Sequence, residues 1–151
     1  MNERILVPVD GSEPSLRALD AAADLAQTLG ATLIVCHIVD LSRAAMLTFG
    51  EPQLVAGCLD ALRSEGASIV SSGAERVHAK VGNVETRLAQ GSAAQEIPRV
   101  ARDTAATWIV MGSHGRSGFG RAVMGSVAEG VLRQSPVPVM IVTPRHAAPH
   151  R

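Results

Sequence analysis

Apolar positions along the chain follow two different periods. Ile5-Leu6-Val7-Pro8-Val9, Thr32 to Val39, Thr107 to Met111 and Val137 to Val142 are short, nearly continuous apolar runs. Such runs predict strands buried on both faces. A weaker alternation, Val84, Thr86 and Leu88 against Glu85 and Arg87, predicts a further strand over Val84 to Ala89. Between the strands, apolar residues return at helical spacing: Leu16, Leu19, Ala23 and Ala26; Leu54, Cys58, Leu62, Ile69 and Val77; Ile97, Val100 and Ala101; Val127, Val131 and Leu132.

The boundaries carry their own chemistry. Ser12 suits an N-cap, Pro14 a first helical turn and Gly30 a stop. A long helix is predicted from Glu51-Pro52 to about Lys80. Gly66 and Gly73 weaken its interior, each by up to about 1 kcal/mol relative to alanine, and invite a kink. Gly91-Ser92 starts the next helix, and Ser126 to Gln134 forms the last, ended by Ser135-Pro136. Asp40 to Gly50 reads as a loop and Val81-Gly82-Asn83 as a break. Proline cannot donate to a ladder, so Pro8 should stand near its strand's end and Pro138 should mark an edge. Strand and helix thus alternate until a final strand, a pattern that calls for an α/β fold with a parallel sheet and helices on both faces. Ligands of such sheets bind beyond the carboxyl ends of the strands, at the switch point. Val9-Asp10, Ile38-Val39 and the segment from Gly112 onward would meet there.

Composition narrows the function classes. The chain has 151 residues, 46% hydrophobic and formally uncharged overall, which suits one domain with a real core and disfavours a nucleic-acid or membrane-surface partner. Aromatics are limited to Phe49, Trp108 and Phe119, so base-stacking platforms are not expected. Cys36 and Cys58 fall in apolar or helical stretches with no C-x-x-C, and are expected as buried free thiols of a reducing, cytoplasmic setting. No signal-peptide core follows Met1, and no apolar run is long enough to span a bilayer. His37 lies in a predicted buried strand and reads as a hydrogen-bonded structural histidine.

The stretch from Trp108 to Ser126 is the candidate site: a buried strand, a loop dense in glycine, serine and arginine, and a helix start. Backbone N–H groups and a helix N-terminus in this arrangement can hold phosphate. It is not a P-loop, since the only lysine is Lys80. Gly118-Phe119-Gly120 begins a dinucleotide-like pattern but lacks its third glycine. No G-x-S-x-G elbow and no metal-type histidine spacing occur.

What does occur is Gly112-x2-Gly115-x9-Gly125-Ser126. This spacing resembles the signature of the universal stress protein family in its ATP-binding branch. Ile5-Leu6-Val7-Pro8-Val9-Asp10-Gly11-Ser12 and Pro136 to Val142 resemble the same family, so the likeness covers essentially the whole chain. The resemblance implies a flavodoxin-like (Rossmann-like) sandwich with a five-stranded parallel sheet in order 3-2-1-4-5. It implies one domain over residues 1–144, with 145–151 as a flexible tail, and a homodimer paired through the last strand. It further implies ATP, with Mg²⁺ on its phosphates, held as a stress-response sensor or regulator. Gly112, Gly115, Arg116 and Ser117 would line the phosphates, Gly125 and Ser126 would complete the cradle at the helix start, and His114 is a further candidate contact. Asp10, beside Pro8 and Val9, would meet the ribose or adenine, Ile38 and Met111 the base, and Val127 would continue the wall.

Plainer roles remain open for each residue. The glycines could serve turns and caps, Asp10 the start of the first helix, Ile38 and Met111 the core, and His114 and Arg116 a solvated loop. Two other functions also stay open: a slow ATPase or phosphotransferase, and an oligomeric partner-binding protein without nucleotide.

Overall fold

The computed structural model describes residues 2–114 and 124–144. Its strands are β1 (Arg4–Pro8), β2 (Thr32–Asp40), β3 (Val84–Gly91), β4 (Trp108–Gly112) and β5 (Val139–Val142). Its helices are α1 (Glu13–Leu29), α2 (Leu41–Leu47), α3 (Pro52–His78), α4 (Ala93–Asp103) and α5 (Ser126–Gln134). The strands form one parallel sheet in order β3-β2-β1-β4-β5. The expected α/β architecture and strand order are therefore those of the molecule.

Alternation along the strands sorts the core into two layers. Ile5, Val7, Val9, Leu33, Val35 and Val110 face α1 and α3, against Leu19, Ala22, Ala23, Val70 and Val77. Leu6, Ile34, Cys36, Ile38, Ile109 and Met111 face α4 and α5, against Ile97, Val100, Ala101, Ala128 and Val131. Two-sided burial is why β1, β2 and β4 read as unbroken apolar runs. It also pushes the Cys36 thiol up to about 12, so that thiol stays protonated.

Several boundaries differ from the sequence-based expectation for definite reasons. Asp40 to Gly50 is not a loop: α2 occupies most of it. Asp40 caps this helix, its Oδ1 accepting from the Ser42 N–H at 2.9 Å, and Thr48 closes it by donating to the Ala44 carbonyl at 2.8 Å. Only Ala44 of α2 is buried, so no apolar period announces the helix. β5 begins at Val139 rather than Val137, although the Pro138 carbonyl still accepts from the Ile109 N–H at 3.0 Å. The inward face of α5 carries Ala128 and Val131, while Val127 and Leu132 are exposed. Gly130 sets that rotation, because a Cβ there would lie 2.6 Å from the Ala94 Cβ of α4. Cys58 is free but only half-buried.

Gly66 and Gly73 lie within the single span of α3 and are both buried. Each marks a close approach of the helix to the sheet. A Cβ at Gly73 would sit 3.1 Å from Val35, and one at Gly66 would sit 2.8 Å from both the His37 ring and a Leu88 methyl. The helix accepts the propensity cost of glycine to come this near.

Ion pairs decorate the periphery. Arg4 binds Glu85 through two hydrogen bonds of 3.2 and 3.0 Å, and Arg76 binds Asp20 through two of 2.8 Å. The hydrogen-bonded Arg4 guanidinium, opposed by partial burial and aided by Arg87, holds the Glu85 carboxyl below its usual range. Arg76 does the same for Asp20.

Two outcomes follow from this packing. Gly66→Ala should lower the urea midpoint of unfolding, since overpacking costs about 1–3 kcal/mol against a helix-propensity gain of about 1 kcal/mol. Gly57→Ala, in the same helix with nothing within 4 Å of the new methyl, should raise it. The depressed carboxylates stabilise the fold above the unfolded-chain values of about 4. That contribution is lost as pH falls through the lower folded values. Thermal melts from pH 7 to pH 3 should therefore show a shallower acid limb for Glu85→Gln, with a difference within about 1 kcal/mol because the pair is partly solvated.

Candidate functional site

The chain moves outward from β1 to β2 to β3, then crosses back to β4 and β5. Connections after β1 and β4 therefore depart in opposite directions, which opens a crevice at their carboxyl ends. The ladder confirms where it opens. β1 matches β2 from Arg4↔Thr32 to Pro8↔Cys36, but matches β4 only at Ile5↔Trp108 and Leu6↔Ile109. Beyond Leu6 the two strands run on without pairing to each other.

On the β1 side, half-buried Pro8 ends the strand and Val9 follows, buried. The Val9 N–H donates to the Cys36 carbonyl, and His37 Nδ1 lies on the Val9 carbonyl, each at 2.7 Å. A carbonyl only accepts, so Nδ1 carries the proton. Asp10 then enters a tight turn. Its Oδ1 accepts from the Ser12 N–H at 2.9 Å, and its own N–H donates to Ser15 Oγ at 3.3 Å. Ser15 Oγ in turn donates to the Ser12 carbonyl at 2.9 Å. Gly11, at φ +82°, supplies the left-handed step this turn needs. Ser12 is the N-cap of α1, as its sequence position suggested. Asp10 thus braces the turn before the helix, with the cap itself left to Ser12.

On the β4 side, Gly112 lets the first turn of α1 settle against the strand, because a Cβ there would stand 3.1 Å from the Pro14 carbonyl oxygen. The Ser113 carbonyl accepts from the Gly125 N–H at 2.7 Å, which joins the two ends of the glycine loop. Gly125 thereby has its N–H engaged in closing the loop. As the N-cap of α5 it has no side chain to offer, and no side-chain cap bond forms there. The first-turn N–H groups beginning with Ser126 and Val127 are left without a side-chain cap, while the Gly125 carbonyl accepts from Glu129 at 3.0 Å. Ser126 and Val127 are both exposed.

His114 is half-buried, with Nδ1 3.0 Å from Ser113 Oγ. Its Nε2 is shielded from solvent and has no hydrogen-bond partner among the described residues. Ile38 and Met111 are 8% and 6% exposed and belong to the α4–α5 side of the core. Gly115, Arg116 and Ser117 lie outside the described residues, as does the tail from residue 145.

Two contributors were not singled out in the sequence. Ser15 ties down Asp10, and its signal was a second hydroxyl three positions after the Ser12 cap. Ser113 closes the loop and orients His114; it sat inside the glycine motif as an unassigned position. The arrangement offers an uncapped helix start, a fixed carboxylate and a buried imidazole nitrogen around one crevice. Among the described residues no cluster of three or more His, Cys, Asp or Glu side chains could hold a metal, and no helix is long and apolar enough to cross a membrane.

Comparison with known proteins agrees with this geometry. A model of the universal stress protein family matches residues 1–143. Universal stress protein YxiE of Bacillus subtilis is 33% identical over 147 residues, covering 94% of this chain and 99% of its own. The solved structure of the hypothetical protein MJ0577, the subject of a structure-based assignment of biochemical function, superposes with a TM-score of 0.83 at 25% identity, covering 97% of this chain and 99% of that one. A universal stress protein in complex with cAMP superposes with a TM-score of 0.61 at 25% identity, covering 94% and 97%. With its sheet order, its crevice and its whole-length match in agreement, the chain belongs to the universal stress protein family.

Proposed function

We propose that the protein binds an adenine nucleotide, ATP with Mg²⁺ on its phosphates, in the crevice between the carboxyl ends of β1 and β4, and acts as a stress-response sensor or regulator. The observation that carries this reading is the uncapped N-terminus of α5. Its first-turn N–H groups, without a side-chain cap among the described residues, and its positive dipole end suit a phosphate. A capping Ser or Asp would consume one of those donors; Gly125 does not. The family relative that binds cAMP supports an adenine nucleotide as the ligand class.

The residues fit such a ligand from both sides. Asp10, held by Ser12 and Ser15, presents an acceptor suited to ribose hydroxyls. Ile38 and Met111, near the carboxyl ends of β2 and β4, are apolar residues suited to a base, and Pro8 and Val9 stand at the end of β1. Ser126 and Val127 offer backbone donors, and the Nε2 of His114, without a partner among the described residues, is a further polar group for the phosphate side. Gly112, Gly115, Arg116 and Ser117 complete the motif in sequence. Free thiols at Cys36 and Cys58 support a cytoplasmic setting. The homodimer reading has its support in β5, whose outer side is unpaired among the described residues and carries exposed Met140.

The His114 Nε2, shielded from solvent and without a partner among the described residues, also favours a second reading, slow phosphoryl transfer. Incubation of the ATP-loaded protein for hours should then release ADP at a rate that His114→Ala lowers.

Calorimetric titration with ATP and Mg²⁺ tests the main reading. Ser126 is the first residue of α5, where proline is well tolerated, and Gly125 at ψ 156° has the backbone that precedes proline. Ser126→Pro should therefore keep the melting temperature while removing a donor N–H and a hydroxyl. We expect affinity to fall by about tenfold, the equivalent of one hydrogen bond to a charged group. No binding heat with ATP, ADP or AMP, and no nucleotide released from freshly purified protein in mass spectrometry, would overturn the proposal.

A further inference from the structure

The sheet has a second open side that the nucleotide reading does not use. β3 is an edge strand, paired only with β2 among the described residues, and it is the longer of the two edges. In its parallel ladder the Leu33 N–H donates to the Asn83 carbonyl. Alternate residues of a parallel strand face the same neighbour. Glu85, Arg87 and Ala89 therefore direct their backbone groups to β2. Val84, Thr86 and Leu88 direct theirs outward. Arg87 confirms the direction: its guanidinium reaches around to donate to the Thr86 carbonyl at 2.9 Å.

The sequence of this edge is complementary to itself. Read outward from Thr86, it runs arginine then leucine in one direction, and glutamate then valine in the other. An antiparallel copy centred on Thr86 places Thr86 opposite Thr86, Glu85 opposite Arg87 and Val84 opposite Leu88. The outward-facing residues Val84, Thr86 and Leu88 then fall at the hydrogen-bonded pairs, and the charged residues at the intervening pairs, where side chains approach most closely. Opposite charges meet on one face. Apolar residues and threonine meet on the other.

The space beside the edge suits the same partner. A groove of ≈ 570 Å³ runs along β3 beneath α3, its helix wall including the small residues Ala67, Ser71 and Ala74 together with Glu75 and His78. The small residues repeat at helical spacing. On the strand side the groove is lined by Val84, Thr86 and Leu88, with Leu88 43% exposed, and by Arg87, whose guanidinium wraps around the edge to the Thr86 carbonyl. In an antiparallel pair, opposed residues share a face, so the second copy would add its own Val84, Thr86 and Leu88 to the α3 side.

We propose that β3 is a self-association edge, pairing antiparallel with β3 of a second copy about a two-fold axis at Thr86. Arg87 would exchange its contacts with its own Glu85 and Thr86 carbonyl for Glu85 of the second copy, leaving the Thr86 carbonyl to the opposing Thr86 N–H. This edge is opposite β5, so the two associations are sterically separate. A chain that pairs through both would build linear assemblies, because two isologous contacts on opposite sides do not close.

Two variants and one cross-link test the proposal. Thr86→Pro removes an outward N–H and leaves the β2 ladder intact, as edge strands allow. Light scattering across a concentration series should show a concentration-dependent mass for the wild type, and loss of the β3-linked species for Thr86→Pro with circular dichroism unchanged. Arg87→Gln should weaken association in the same way, with the melting temperature lowered only slightly by loss of the exposed pair with Glu85. On a Cys58→Ser background, Thr86→Cys should oxidise readily to a cross-linked dimer, since hydrogen-bonded opposing residues stand about 5.5 Å apart at Cα. Leu88→Cys should cross-link far more slowly, because its counterpart lies across the axis. Equal mass for wild type and Thr86→Pro, or equal cross-linking at the two cysteine positions, would overturn the inference, including the case in which the edge takes an unrelated peptide in place of a second copy.

Discussion

Val9 is held by two short hydrogen bonds to β2, and the candidate site depends on them. They act just where β1 has lost β4 as a neighbour. The Cys36 carbonyl takes the Val9 N–H, and the protonated Nδ1 of His37 takes the Val9 carbonyl. A peptide unit at the end of a buried strand would otherwise leave its polar groups dry and unpaired, at a cost of about 1–3 kcal/mol each. With both satisfied, the chain can leave the sheet at Asp10 on a fixed heading. His37 is in turn confined by Gly66 of α3, whose missing side chain makes room for the ring. A contact on the α3 side of the sheet thus sets the direction of the carboxylate at the crevice.

The fold was legible wherever burial imposed a period. β1, β2 and β4 declared themselves as apolar runs because helices cover both faces, and α1 declared itself through its caps and spacing. α2 stayed hidden because only Ala44 reaches the interior. Its start is dictated by the Asp40 side chain, a polar signal that hydrophobic patterning does not register. The shift of α5's buried face from Val127 to Ala128 has the same character. It follows from a close helix–helix contact at Gly130 and Ala94, which no spacing rule within one helix contains.

The strand end and helix start that bracket the candidate site were legible, their internal roles less so. Gly112 closes β4 and Ser126 opens α5, as the spacing in the sequence suggested. The motif's glycines nevertheless differ in kind. Gly112 makes room for α1, and Gly125 ties the loop shut while leaving the next helix uncapped. Ser15 and Ser113 hold Asp10 and His114 by contacts that depend on how the turns fold back, so their part became visible only in three dimensions.

The burial of Cys36 has a practical corollary. Its thiol lies in the central layer of the sheet, fully enclosed and protonated, so a maleimide or iodoacetamide can reach it only when the domain opens as a whole. Cys58, half-buried on α3, needs only a local fluctuation. The protein therefore carries two internal clocks for its own motions: the alkylation rate of one sulfur times global opening, and that of the other times the breathing of a single helix.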